Sequence, residues 1–278
     1  MDYLKKFRVP PGGKLRLKEL DPAFDGKSIK KAAAVREMQK LAAKMDDLQF
    51  RLYSQQKHSL LICLQAPDAG GKDGVVRHVL GAMNPQSCRV VSFKQPSAEE
   101  RAHDFLWRVE RQCPRRGEVV VFNRSHYEEV LVTRVHKLLP KPVWSARYKQ
   151  INEFEERLAA NDTHVIKFFL HISKEEQLRR FKLRLDDPAR RWKISEADYA
   201  EREYWDDYVK AFEDALSKCS TKDAPWYVIP SDHKWFRNLA ISYIVTKTME
   251  ALDLKLPKPT VDITEIRKKY HEAEKDGK

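Results

Sequence analysis

The stretch Leu60–Lys72, LLICLQAPDAGGK, decides the fold class of this 278-residue chain. It begins with a short apolar run rich in strand formers, Leu60–Gln65, and ends in a turn that contains two consecutive glycines. A helical pattern follows the turn directly. A buried strand, a glycine-rich turn and a helix in this order are typical of the first βα unit of a parallel α/β sheet.

Similar apolar runs recur along the chain, and longer helical stretches separate them. They are Arg89–Phe93, Glu118–Phe122, Val165–His171 and Trp226–Ile229. Continuous apolar strands that alternate with helices indicate a parallel sheet covered on both faces. The sequence therefore predicts an α/β fold in three layers, with a five-stranded parallel sheet between two layers of helices.

The length of the chain favours one large domain over two. Within it we expect an N-terminal arm over residues 1–27, a long amphipathic helix over residues 28–57 and a charged tail over residues 260–278. The helix is predicted because apolar residues recur there at steps of three and four, without a proline or glycine between them.

The composition points to a polyanionic partner, because the formal net charge is +12. Nucleic acid, a membrane surface and a polymeric phosphate all satisfy this charge. The four cysteines form no CxxC pair, Met1–Lys18 has no apolar core of signal-peptide type, and no apolar run approaches the ~20 residues of a membrane span. We therefore expect a cytoplasmic protein with reduced thiols and no membrane contact.

The turn after the first strand is an imperfect P-loop (Walker A) motif. The motif GxxxxGK[ST] cradles phosphate with backbone N–H groups and neutralises its charge with the lysine. Here Ala66 replaces the first glycine and Asp73 replaces the hydroxyl residue. The candidate phosphate-binding residues of the loop are Ala69, Gly70, Gly71, Lys72, Asp73 and Gly74. The alternative is an ordinary βα turn with a surface lysine.

The loop also contains two carboxylates, those of Asp68 and Asp73. Carboxylates beside phosphates usually indicate Mg²⁺, which accepts one or two protein carboxylates and completes its shell with phosphate oxygens and water. We predict Asp68 as the main magnesium ligand. Asp73 has the alternative role of a helix-start residue favoured by the helix dipole.

A second polar motif follows the third predicted strand. P-loop enzymes commonly carry an acidic residue at this strand tip, in the Walker B motif, where it helps to hold the metal. This chain has Asn123, whose amide can orient a metal-bound water, followed by Arg124, which can face the transferred phosphoryl group. Glu128 adds negative charge nearby. The alternative is a capped helix N-terminus with acids in its first turn.

A basic segment follows the fourth strand and predicts a lid over residues 178–200. Arg180 and Arg184 share one helical face because they are four residues apart. Arg191 and Lys193 flank Trp192 shortly afterwards. Lid arginines of kinases close over the phosphates and exclude water. The alternative is a solvated basic helix.

Five strings together resemble the family-2 polyphosphate kinases, most closely their class III members. They are QAPDAGGKDG (Gln65–Gly74), NPQSCRVVSF (Asn84–Phe93), FNRSHYEEVL (Phe122–Leu131), KFFLHISKEEQ (Lys167–Gln177) and APWYVIP (Ala224–Pro230). The resemblance implies a fold similar to thymidylate kinase with a helical lid, polyphosphate as the phosphoryl donor, and Mg²⁺, for which Mn²⁺ can substitute. It also implies self-association as a dimer or tetramer.

The family's catalytic residues map onto this sequence one by one. Its loop aspartate and lysine fall on Asp68 and Lys72, and its strand-tip pair falls on Asn123 and Arg124. Many relatives carry aspartate at the position of Asn123, whereas the class III branch resembles this chain in having asparagine. Glu128 stands where the classes differ, so the resemblance implies a role in choosing between mono- and diphosphate acceptors.

Three functions compete at this point. The first is reversible transfer of the terminal phosphoryl group of polyphosphate to AMP or ADP, with guanine nucleotides as further acceptors and no specific nucleic-acid partner. The second is an ATP-dependent nucleoside monophosphate kinase of similar fold. The third is a nucleic-acid-binding protein with a vestigial loop, although the chain has no aromatic-rich RNA-binding string.

Overall fold

The computed structural model of the protein describes residues 1–26, 29–275 and Gly277. The last residue of the predicted arm, Lys27, and the predicted first residue of the long helix, Ser28, lie outside the described residues. The same is true of Asp276 and Lys278 in the predicted tail.

Five strands of the described chain form one parallel sheet in the order β2-β3-β1-β4-β5. The strands are β1 Ser59–Gln65, β2 Cys88–Ser92, β3 Val119–Asn123, β4 Thr163–His171 and β5 Trp226–Pro230. The predicted five-stranded parallel sheet is confirmed, with strand ends within a few residues of those predicted.

The helices of the described chain lie between the strands, before β1 and after β5. In chain order they are α1 Tyr3–Phe7, α2 Lys31–Gln55, α3 Lys72–His78, α4 Ala98–Ala102, α5 Trp107–Glu110, α6 Glu128–Val135, α7 Lys141–Ala159, α8 Lys174–Asp186, α9 Glu196–Glu203, α10 Trp205–Cys219, α11 Lys234–Glu250 and α12 Ile263–Lys275. None of these helices is both long enough and apolar enough to cross a bilayer. The long helix α2 ends at Gln55, because Gln56 turns left-handed at φ 53°.

Helices cover both faces of the sheet, as the sequence predicts. Alternate residues of a strand point to opposite faces. In β1, Leu60 packs into the core that contains α2 and α11, whereas Leu61 packs into the opposite core, which contains residues of α5 and α7. The fold is therefore a three-layer α/β sandwich, and its parallel strands all end at the same edge.

A buried charged cluster lies under the tip of β3. Lys167 on β4 and Glu155 on α7 form an ion pair, and both side chains are almost fully buried. The carboxylate of Glu155 also accepts hydrogen bonds from Tyr127 (3.0 Å) and His126 (3.1 Å). Burial disfavours the charge of Glu155, but Lys167 and His126 outweigh burial and lower its pKa. The cluster fixes the chain just beyond Arg124.

We expect Glu155→Gln to reduce the free energy of unfolding by about 3–5 kcal/mol, because it leaves the ammonium group of Lys167 buried without a counter-charge. Urea denaturation measures this loss. The matched control is the double variant Glu155→Gln with Lys167→Met, which removes both charges and should recover most of the stability. A single variant as stable as the wild type would contradict the role of the pair.

Candidate active site

The glycine-rich loop lies between the end of β1 and the start of α3. Ala69 and Gly71 both adopt left-handed backbone conformations, at φ 58° and φ 106°. Gly71 is the residue immediately before α3, and no side chain caps that helix start. The loop therefore turns its backbone sharply at the carboxyl edge of the sheet, where parallel α/β folds bind their ligands.

We expect Gly71→Ala to reduce activity to background, because a Cβ atom there would lie 1.9 Å from Nη1 of Arg237 and the backbone is left-handed. Gly81→Ala is the matched control, since the nearest atom to its added Cβ is 3.6 Å away. Activity and thermal unfolding of both variants test this. A Gly71→Ala variant with wild-type activity would show that the loop tolerates displacement of Arg237.

Lys72 begins α3 and folds back over the loop. Its ammonium donates a hydrogen bond to the carbonyl of Ala66 at 2.9 Å. Burial lowers the pKa of Lys72; the nearby carboxylate of Asp68 opposes the lowering, and the Arg124 guanidinium adds to it. Lys72 is thus a partly buried cation held at the mouth of the loop.

Asp68 and Arg124 meet across the tips of β1 and β3. Nη2 of Arg124 lies 3.3 Å from Oδ1 of Asp68. Arg124 has a left-handed backbone at φ 61°, a conformation that is strained for a side chain of this size. Gln177 on α8 donates to the backbone carbonyl of Asp68 at 3.0 Å. The tips of β1 and β3 and helix α8 therefore bring together Asp68 and Arg124, which the sequence predicts as separate site residues.

Asp73 links the loop to β3 and to the predicted lid. Its carboxylate accepts hydrogen bonds from the amide of Asn123 at 3.0 Å and from the ammonium of Lys193 at 3.3 Å. Burial raises the pKa of Asp73, but these two hydrogen bonds, together with the charges of Lys193 and Lys72, outweigh burial and lower the pKa overall. Asn123 therefore faces Asp73, and the predicted site residues Asp73, Asn123 and Lys193 come together.

A cleft with a cavity volume of about 1290 Å³ opens beside Asp68 and Arg124. Glu128 lies in its wall, and Gln65 donates to the Glu128 carboxylate at 2.8 Å. The remaining wall contains aromatic side chains, cations and carboxylates. The aromatic residues include Phe93, Phe105, Phe169, Trp205 and Tyr208, the cations Lys18, Lys94, Arg101, Arg108 and Arg147, and the acids Glu100, Glu129, Glu175, Asp198, Glu201 and Asp206. Arg108 pairs with Glu100, and Arg147 pairs with Glu129. The aromatic side chains suit a planar ring, and the cations without such partners suit negative charge.

The structure corrects the predicted role of Arg180. A guanidinium has five N–H donors, and those of Arg180 contact Glu176 and four backbone carbonyls. The carbonyls are those of Ala69, Gly70, Ser231 and Asp232. Arg180 is buried and has no donor left for phosphate. It braces the loop from behind and does not line the phosphate site.

Three further cations of the predicted lid, Arg184, Arg191 and Lys193, differ in their contacts. Arg184 donates to the carbonyl of Lys193 at 3.0 Å and lies 3.5 Å from the carboxylate of Asp198, so it ties α8 to α9. Arg191 is exposed, and its Nε donates to the carbonyl of Leu185 at 2.8 Å. Of these predicted lid residues, Lys193 is the one that contacts the loop.

The described residues contain no cluster of three or more side chains of the metal-binding types. The carboxylate of Asp68 lines the cleft beside the glycine-rich loop. It fits a metal of the magnesium type, which takes one or two protein carboxylates together with phosphate oxygens and water. The side-chain amide of Asn123 donates a hydrogen bond to Asp73. Its side-chain oxygen is therefore the atom that could orient a water.

The sequence patterns do not identify three further residues of the site, which are Gln65, Gln177 and Arg237. The two glutamines hold Glu128 and Asp68 in place, and Arg237 on α11 lies beneath Gly71. Arg237 had a signal in the sequence, since it is a charged residue inside the otherwise largely apolar run Trp235–Val245. The run itself gives no indication that the charge lies under the loop.

The chain is similar to known proteins. The family model of polyphosphate kinase 2 (PPK2) matches residues 28–257. An AMP/ADP-polyphosphate phosphotransferase of Meiothermus ruber is 48% identical over 260 residues, which cover 92% of this chain and 96% of that protein. An ADP-polyphosphate phosphotransferase of Rhodopseudomonas palustris is 45% identical over 272 residues, with 92% and 93% covered.

The chain is also similar to a solved structure. The crystal structure of polyphosphate kinase 2 from Arthrobacter aurescens TC1 superimposes with a TM-score of 0.94 at 39% sequence identity. The superposition covers 98% of this chain and 97% of that one. The predicted P-loop kinase fold is confirmed.

Proposed function

The chain belongs to the polyphosphate kinase 2 family, and from this premise we propose that it catalyses Mg²⁺-dependent, reversible transfer of the terminal phosphoryl group of polyphosphate to AMP and ADP. The observation that carries the proposal is the convergence of Asp68 and Arg124 at the edge of the large cleft, with Lys72 close enough for both charges to act on its pKa. Guanine nucleotides are further candidate acceptors.

The two sides of this convergence suggest separate places for the two substrates. Asp68, Arg124 and Glu128 border the cleft, whose wall also contains aromatic side chains that suit the base of a nucleotide. Lys72 and Lys193 lie at the loop and suit the phosphates of the donor. We therefore assign the acceptor nucleotide to the cleft and the end of the polyphosphate chain to the loop.

The residues act by position and charge. The acceptor oxygen of a nucleoside phosphate already carries negative charge, so no general base has to remove a proton from it. Lys72 and Arg124 bring positive charge to the phosphoryl group while it moves between two oxygens, and such preorganised charge dominates catalysis of phosphoryl transfer. Asp68 keeps Arg124 oriented through their contact at 3.3 Å.

Phosphoryl transfer of this kind uses a divalent metal, which neutralises charge that develops on the phosphate oxygens. We propose Mg²⁺, with Mn²⁺ as a substitute, held by Asp68 and by the phosphates of the substrates. The side-chain oxygen of Asn123 would orient a water bound to the metal.

A matrix of donors and acceptors tests the proposal. Purified protein with Mg²⁺ is incubated with polyphosphate or ATP as donor and with AMP, ADP, GMP or GDP as acceptor, and the nucleotides are separated by ion-exchange chromatography. We expect ADP and ATP from AMP with polyphosphate. Turnover of AMP with ATP alone would instead identify a nucleoside monophosphate kinase, and no product from any acceptor would refute a phosphotransferase.

Glu128 should influence the choice of acceptor, because its carboxylate borders the cleft beside Asp68 and is held by Gln65. We expect Glu128→Gln to change the ratio of kcat/KM for AMP to that for ADP by about 10-fold, since one charge beside a phosphate is worth ~1–2 kcal/mol at partial exposure. Glu153→Gln is the control, because Glu153 pairs with Lys149 on the exposed side of α7 and does not line the cleft. An unchanged ratio in Glu128→Gln would contradict the assignment.

We also propose a cytoplasmic location and assembly into a dimer or tetramer, without a specific nucleic-acid partner. The four cysteines are free, and burial raises the pKa of each thiol, which suits a reducing compartment. Light scattering of the purified protein measures the oligomeric state.

A further inference from the structure

Arg237 places a buried positive charge directly beneath the glycine-rich loop. It lies in the first turn of α11, and its side chain is 1% exposed. A Cβ atom added at Gly71 would lie 1.9 Å from its Nη1, and one added at Gly74 would lie 3.0 Å from its Nη2. The guanidinium is therefore in contact with the backbone of the segment that cradles phosphate.

The guanidinium of Arg237 has few hydrogen-bond acceptors and no carboxylate partner among the described residues. Its Nε and Nη2 donate to Oδ1 of Asn238 at 3.0 and 2.7 Å. Its Nη1 makes no hydrogen bond to any residue that the structure describes, and no described carboxylate forms an ion pair with it. Arg180, by contrast, has a partner for every N–H, and Lys167 has Glu155.

The surroundings of Arg237 add positive charge. The first turn of α11 contains no acid, and no side chain caps the helix, so neither supplies negative charge to the positive end of its dipole. Burial lowers the pKa of Arg237 to about 9, and the Arg180 guanidinium contributes to the lowering. The pKa of Lys234 is lowered by burial and then by Arg180, Arg237 and Arg190. A buried charge in such a place opposes folding unless an anion balances it.

We propose that Arg237 is a positioning residue for the phosphoryl donor, whose phosphates supply the counter-charge that the guanidinium lacks. Arg237 acts through the backbone of Gly71 and Gly74, which it holds in place, and not by direct contact with the donor. The inference rests on the proposed function, since it assigns the loop to polyphosphate. It also explains why the chain keeps glycine at both positions: any side chain there would displace the guanidinium.

A role confined to packing makes a different prediction. A guanidinium that only fills space under the loop would stabilise the protein equally with and without an anion. A guanidinium that balances donor phosphates should instead contribute to the stabilisation that the anion produces. Thermal unfolding with and without tripolyphosphate separates the two roles.

The experiment compares Arg237→Met, Arg237→Lys and the wild type by thermal unfolding in Mg²⁺ with increasing tripolyphosphate. We expect Met to weaken tripolyphosphate binding by about 10-fold or more, and Lys to retain most of the binding because it keeps the charge. The KM for polyphosphate should rise in the Met variant, whereas the KM for ADP should change little.

Arg89→Met is the matched control, because Arg89 on β2 donates to the side chain and carbonyl of Gln112 and to the carbonyl of Cys113, away from the loop. It should lower the unfolding temperature and leave the tripolyphosphate shift unchanged. A Met variant with the wild-type shift, or a Lys variant that loses the shift as fully as Met, would overturn the inference alone. No shift in the wild type would overturn the proposed donor as well.

Discussion

Replacing Lys72 by alanine is expected to abolish phosphoryl transfer, with kcat/KM reduced by about 10³-fold or more. Lys72 is the cation that the loop holds over its own backbone, through the hydrogen bond from its ammonium to the carbonyl of Ala66. Loss of this charge removes stabilisation from the phosphoryl group in the transition state, and no other described lysine contacts the loop backbone.

The same substitution should leave the fold intact. Burial lowers the pKa of Lys72, so its charge does not favour the folded state. We expect the unfolding temperature of Lys72→Ala to equal or slightly exceed that of the wild type. Lys57→Ala is the matched control, because Lys57 is an exposed lysine near the amino end of β1, at the opposite edge of the sheet. Near wild-type turnover in Lys72→Ala would contradict the assigned role.

Asp68→Asn should have the second-largest effect, a loss of about 10³-fold in kcat together with a higher Mg²⁺ requirement. The change keeps the size of the side chain but removes its charge. Arg124 then loses its carboxylate partner at 3.3 Å, and the proposed metal loses the carboxylate that we assign to it. Mg²⁺ titrations of the rate measure the shift.

Asp73→Asn provides the comparison for this prediction. The carboxylate of Asp73 is already engaged by Asn123 and Lys193, so its loss should disturb the lid contact more than the metal. We expect its Mg²⁺ titration to shift less than that of Asp68→Asn. A larger shift of the Mg²⁺ titration in Asp73→Asn than in Asp68→Asn would indicate that Asp73, and not Asp68, is the metal ligand.

Local sequence patterns were sufficient for the sheet and the loop. The strands of a covered parallel sheet are continuous apolar runs, so Leu60–Gln65 and Val165–His171 were recognised directly. The meeting of Asp68 with Arg124 follows from the topology, since β1 and β3 are neighbours and end at the same edge. The sequence predicts that both motifs lie at this edge, whereas the contact itself depends on the strand order that the structure shows.

The positions of two buried cations, Arg180 and Arg237, depend on tertiary packing and could not be predicted from the sequence. The spacing of Arg180 and Arg184 placed both on one face of α8, but it could not show that Arg180 turns toward the carbonyls of the loop. Arg237 was missed for a similar reason, because its position depends on how α11 packs under α3. Arg180 and Arg237 are both buried behind the glycine-rich loop, and the sequence pattern shows this for neither of them.

The most direct test of the central claim is a transfer of label. Polyphosphate labelled with ³²P is incubated with unlabelled ADP, Mg²⁺ and the purified protein, in the absence of ATP, and the nucleotides are then separated. We expect labelled ATP from the wild type and none above background from Lys72→Ala. Absence of labelled ATP with the wild type, or equal labelling by Lys72→Ala, would contradict polyphosphate-driven phosphorylation at this loop.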